Sequence, residues 1–244
     1  MVEVAISLAI IGIALVGIIG VLPLGLHAQR DNREETVIAQ DATVFTEAIS
    51  KGASGANDLT NYVYAITNFW TLYNANGSVN KNDFNGYTPV AAYTYGTSVP
   101  SMELTNGANI VGLLSTPEYT DSNFNPTNNL FNGGYSNHVI AYVRSISGPA
   151  VEKPPQDNQL LQQDSFSYRI FSVNAPVAAA SPNPSLQENL HELRLTFEWP
   201  QQPNGAVGNG RATYRALIAG QILTTNSLGQ LLYFYQPQSF ASAP

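Results

Sequence analysis

The sequence predicts an α+β chain in which a long N-terminal helix, kinked or melted near Pro23, lays its second half on an antiparallel β-sheet head. Three features predict it. Residues 4–26 read VAISLAIIGIALVGIIGVLPLGL, 23 residues without a charge. Ile38, Ala42, Phe45 and Ile49 then recur at helical spacing. Residues 192–199 alternate apolar and polar with period two. The expected parts are an apolar helix over 1–26, an amphipathic helix over 27–52 that packs on the head, and a β-rich globular head over 53–244.

The uncharged run, at about 1.5 Å per residue, is roughly 35 Å long and crosses a bilayer core. A cleaved secretory signal opens with Lys or Arg and closes in small residues at its cleavage site. This segment opens with Met1, Val2 and Glu3 and runs straight into a polar helix. A buried core helix seldom lacks a polar stripe over such a length. Glu3 is the odd residue, because a carboxylate at the edge of an apolar span is costly unless it meets water or a cation. Either the headgroup layer hydrates it, or it pairs with the α-amino group of Met1 on a neighbouring subunit and fixes axial register. Lys and Arg are absent before Arg30. Pro23, which lacks an N–H and clashes with the preceding turn, lies between Gly20 and Gly25, and helix is weak there.

The stretch MVEVAISLAIIGIALVGIIGVLPLGLHAQRDNREET resembles the N-terminal signature of type IV pilins and type II secretion pseudopilins. It is especially similar to the prepilin-type proteins common in verrucomicrobial genomes, in which VEV, a GIIG-like run, LP.GL and RD..EET recur. The likeness covers roughly the first 40 residues. It implies a structural subunit of an extracellular type IV pilus-like filament: a helical homopolymer held by packed N-terminal helices, with a pilin-like fold. It further implies an inner-membrane precursor, a prepilin peptidase that removes a leader and methylates the new terminus, and an ATPase-driven assembly machinery. Met1, Glu3, Gly20, Pro23 and Gly25 would serve assembly, and Ile38, Ala42, Phe45 and Ile49 would pack helix on head. The alternatives are a pseudopilin or minor pilin of a secretion or pilus machine, and a monomeric membrane-anchored binding head. In the family the acidic residue is usually fifth in the mature chain and here it is third, which predicts two residues ahead of Met1. The basic leader ending in Gly is missing, as expected of a processed chain.

In residues 27–51 the charged Asp31, Arg33, Glu34, Asp41 and Glu47 are expected on the faces beside the apolar stripe, with Gly52, Ser54 and Gly55 ending the helix. Short strands or extended stretches are expected around 61–73, 87–95 and 109–115, between turns at Asn76-Gly77, Asn85-Gly86, Asn106-Gly107 and Gly133-Gly134. Val139 to Ile146 and Phe166 to Val173 read as strands. In the best strand, Leu193, Leu195, Phe197 and Trp199 face one way and Glu192, Arg194, Thr196 and Glu198 the other. Residues 211–218 offer a partner that sets Arg against Glu. Residues 174–190 read as a loop, and Leu231 to Tyr235 as a last strand.

Little here points to catalysis. Net charge is −7, from 10 Lys and Arg against 17 Asp and Glu, and no basic cluster is built for phosphates, so nucleic acid is not an expected partner. Charged residues are only 11% of the chain, and the abundance of Gly, Pro and Tyr suits an exported β-rich protein. Without cysteine there are no disulfides, thiolate metal sites or Cys nucleophiles. His27, His138 and His191 are scattered, no HExxH or nucleophile elbow occurs, and neither enzymatic activity nor a cofactor is expected. Asp121-Ser-Asn123-Phe-Asn125 imitates a calcium loop, but its sixth and twelfth positions are Pro126 and Asn132, which favours a plain turn. Asn76-Gly-Ser78 is a glycosylation sequon of little weight. Tyr62, Tyr64, Trp70, Tyr73, Tyr87, Tyr93 and Tyr95 are either β-sheet core or an adhesive surface.

Overall fold

The computed structural model of the protein describes residues 2–52, 56–88, 104, 106–127, 133–147, 166–177, 189–202, 205–227 and 229–236. The chain forms two compact units, Met1–Gln40 and Asp41–Pro244. The division falls inside the first helix, α1 (Val2–Ser50), so the last ten residues of that helix belong to the head.

α1 is unbroken over 49 residues. The melted stretch expected around Gly20 to Gly25 is absent, and residues 20–26 are helical throughout. Pro removes one helical hydrogen bond, at a cost of about 3 kcal/mol, but helix is already nucleated on both sides and propagates through it. The helix stops at Gly52, whose φ of 64° is left-handed. Its N–H donates to Ile49 O at 3.2 Å. A Cβ there would also lie 2.7 Å from the Tyr235 carbonyl oxygen, so position 52 requires glycine on two counts.

The head holds β1 (Val63–Tyr73), β2 (Val79–Tyr87), α2 (Gly107–Leu114), β3 (Tyr119–Thr120), β4 (Tyr135–Arg144), β5 (Ser167–Pro176), β6 (Leu190–Gln201), β7 (Val207–Ala219), β8 (Gln221–Ser227) and β9 (Gln230–Gln236). A 3-10 turn over Ala56–Asn61 precedes β1. The main sheet is antiparallel in the order β2-β1-β4-β5-β6-β7, with β3 added beside the start of β4. β8 and β9 form a separate two-stranded sheet. With the helix α1 preceding an antiparallel sheet in the chain, the protein is α+β.

β6 shows why the sheet is legible. His191, Leu193, Leu195, Phe197 and Trp199 are buried, and the residues between them are half-buried. One row across the sheet reads Ile66, Ala141, Ile170, Phe197 and Ala212, all on the covered face. The next reads Thr67, Ile140, Phe171, Thr196 and Thr213 on the other. The β6–β7 hairpin sets Glu198 opposite Arg211, with their charged atoms 3.7 Å apart. Near the loop that joins the two strands the Trp199 indole lies over Gly210, where a Cβ would come within 2.4 Å of the ring.

Several expectations change. The stretch 109–115 is not extended: α2 is a helix, capped by Asn106, whose side chain accepts from Ala108 N at 2.9 Å. Its β-branched Ile110 and Val111 suit a strand, but both are fully buried, and burial outweighs a small propensity difference. The carbonyls at its C-terminal end are satisfied from the sheet, Leu114 O by Ser172 Oγ at 2.6 Å and Ser115 O by Asn174 Nδ2 at 2.7 Å. β2, folded back on β1 through the Asn76-Gly77 turn, was not expected, and the stretch expected at 87–95 is described only for residues 87 and 88. Residues 89–103 lie outside the described residues. β5 runs on to Pro176 and β6 begins at Leu190, which narrows the loop expected at 174–190. β8, the partner of the last strand, was not expected at all.

Candidate functional site

The first twenty residues set this chain apart. Val2–Gly20 is long and apolar enough to cross a membrane, and none of it is buried. Ile10, Ile11 and Ile13 point to different sides of the helix, yet are 62%, 57% and 75% exposed. No stripe of the segment is polar enough to face water. A continuous apolar surface of this size marks contact with lipid or with other protein. Gly12, Gly17 and Gly20 have nothing within 4 Å of where a Cβ would stand, so other helices can approach their backbone closely.

Glu3 lies in the first turn of α1, with its side chain exposed. Negative charge is favourable at that end of a helix. Ser7 Oγ donates to the Glu3 carbonyl oxygen at 2.9 Å, so the Ser7 hydroxyl needs no outside partner in an apolar setting. Met1 lies outside the described residues, and of Pro23 only the helical backbone is described. Gly20 and Gly25 are exposed positions in the same unbroken helix. Glu3, Gly20, Pro23 and Gly25 are spread along a single helical segment.

Further along α1, Ile38, Ala42, Phe45 and Ile49 are all buried, none more than 1% exposed. Within the head unit, Ala42, Phe45 and Ile49 lie on the same helix turns as Asp41, which is also fully buried. Its Oδ1 accepts from Ser147 N at 2.9 Å and Ser147 Oγ at 2.5 Å, and its Oδ2 from Ile146 N at 3.0 Å and Tyr168 Oη at 2.7 Å. Four donors converge on one carboxylate, joining the helix to the end of β4 and to β5. Burial, and then the Asp41 charge beside it, push the Tyr168 hydroxyl well above the ordinary tyrosine range. Sequence reading placed Asp41 on the faces beside the apolar stripe, and the structure buries it with the stripe. The signal was present: Asp41 is three residues after Ile38 and four before Phe45, on the apolar stripe itself.

The other candidates resolve into structure. Tyr87 is core, and its hydroxyl donates to Gln230 Oε1 at 3.0 Å. Tyr64 is exposed, Tyr62, Trp70 and Tyr73 are half-buried, and Tyr93 and Tyr95 lie outside the described residues. Asp121 is occupied by its own loop, accepting from Asn123 N at 2.8 Å and Asn125 N at 2.9 Å. His138 is exposed, whereas His191 is buried with its ring edge-on to Tyr235 at 5.8 Å. Among the described residues no group of His, Asp and Glu could hold a metal ion. Compared with known proteins, the chain matches no family model, no curated protein and no solved structure.

Proposed function

We propose that the chain is the structural subunit, the pilin, of an extracellular type IV pilus-like filament. One observation carries the reading: an apolar helical segment, Val2–Gly20, exposed on every side and joined to a folded β-rich head. Such a segment needs lipid before assembly and the apolar flanks of other copies after it. A helical homopolymer with the segments packed at its centre supplies the second setting. The resemblance of residues 1–36 to prepilin-type proteins supports the same order of events. The precursor sits in the inner membrane, a prepilin peptidase trims it, and an assembly machinery lifts it into the filament. The head, in a pilin-like arrangement, forms the outer surface.

Glu3 then has a function. A carboxylate entering an apolar bundle costs several kcal/mol if unpaired, and the amino terminus of a neighbouring copy is the cation within reach. Replacing Glu3 with Gln keeps shape and removes charge. In the source cells, Glu3→Gln is expected to lower the yield of sheared filaments while the membrane-bound pool of the chain persists. Undiminished incorporation would reduce Glu3 to a hydrated interfacial residue.

A further inference from the structure

We propose that Arg194 and Arg215 form a carboxylate-binding site that takes Asp31 and Glu35 from the helix of a second copy of this chain. The proposal rests on the filament reading and names a contact between its subunits.

Arg194 on β6 and Arg215 on β7 are direct partners in the ladder, so two like charges stand side by side on one face of the sheet. Such pairs are unfavourable unless an anion lies between them. The anions at hand are poorly placed. Arg194 Nη2 is 3.7 Å from Glu118 Oε2 and Arg215 Nη1 is 3.7 Å from Glu192 Oε1, beyond hydrogen-bond length. Arg194 Nε is buried without a hydrogen-bond partner. Arg215 remains 69% exposed, and Leu217, two residues on and so on the same face, is also 69% exposed. β7 is the last strand of the sheet among the described residues.

The complementary feature is on α1. Asp31 and Glu35, one turn apart and exposed, form a like-charge pair of opposite sign. Neither has an ion pair among the described residues, because Arg30 is held by Glu34 at 2.8 Å. Arg33 lies two residues from each, on the far side of the helix. Two carboxylates about one turn apart can meet two guanidinium groups on adjacent strands, each relieving the repulsion within the other pair. An exposed leucine beside the arginines gives the contact an apolar component. In a chain of net charge −7, an under-used arginine pair is also where a second copy is attracted rather than repelled.

The absence of cysteine gives a clean test. Ala28→Cys places a thiol one turn before Asp31, and Leu217→Cys places one beside Arg215. The two single variants are co-expressed in the source cells, and their sheared filaments are treated with a short bismaleimide. A cross-linked dimer containing one of each variant is expected. Its absence from filaments that contain both variants overturns the proposal, as does a cross-link formed only between like variants. In parallel, Arg194→Glu with Arg215→Glu is expected to lower filament yield about tenfold. Adding Asp31→Lys and Glu35→Lys should restore it to within about twofold. Full yield from the arginine variant, or no recovery in the fourfold variant, counts against the pairing. If wild-type filaments lack this chain, the filament reading itself fails. If they contain it and neither arm responds, only this contact fails.

Discussion

Among the described residues Asp41 has no cation among its hydrogen-bond partners, and that makes its neighbours matter more. A carboxylate buried among two backbone N–H groups, a serine and a tyrosine hydroxyl is tolerable only while all four donate. Removing it leaves four donors without an acceptor in a closed site. Asp41→Ala should therefore cost about 3 kcal/mol or more in denaturant unfolding of the detergent-solubilised chain. Tyr168→Phe deletes one donor and should cost about 1.5–3 kcal/mol. Combining the two should cost less than their sum, because the second change acts on an interaction already lost. Additive losses would show that the tyrosine and the carboxylate are not coupled. Glu3 poses the opposite case, a carboxylate in the open, and its effect should appear in assembly and not in folding.

Among the elements, β6 gives the sharpest contrast between neighbours. Leu195 is 1% exposed and points into the covered face, while Thr196 faces away and meets Thr213 at 3.0 Å. Leu195→Ala is expected to cost about 2–5 kcal/mol, and Thr196→Ala about 0.5 kcal/mol. Equal losses would contradict the assigned faces. Period-two alternation made this strand and its arginine-lined partner legible in sequence, since a slip of one residue would reverse every side chain. The apolar run and the 38, 42, 45, 49 stripe were legible for the same reason, with the helical period. α2 was not, because eight residues that are almost all buried carry no polar face to betray a period. Nor was Asp41, since a charged residue on a helix is read as solvated until its buried partners are known. β8 escaped notice because its residues are mostly exposed and polar, and only its pairing with β9 makes it a strand.

At the scale of the whole molecule, the head is held by its core and by buried tyrosines rather than by cross-links. Burial pushes Tyr87 up to about 12, and the Tyr168, Tyr233 and Tyr235 hydroxyls rise as well, first through burial in each case. For these groups the folded value is raised above the unfolded value of about 10. Their contribution to stability is thus fully present below about pH 10 and is lost as pH rises through the folded values. The head should resist neutral and mildly alkaline media and lose stability steeply above about pH 10. Denaturant midpoints measured between pH 8 and pH 11 check this, and a flat profile would contradict the assigned burial.

The apolar segment is the other whole-molecule property, and the central claim depends on it. The most direct measurement is electron cryomicroscopy of filaments sheared from the source cells, with the subunit identified by mass spectrometry. The account predicts helical filaments built from this chain, with residues 2–20 packed together along the axis and the β-rich heads outside. Recovery of the chain only as a detergent-soluble monomer from membranes, and never in sheared filaments, would contradict it.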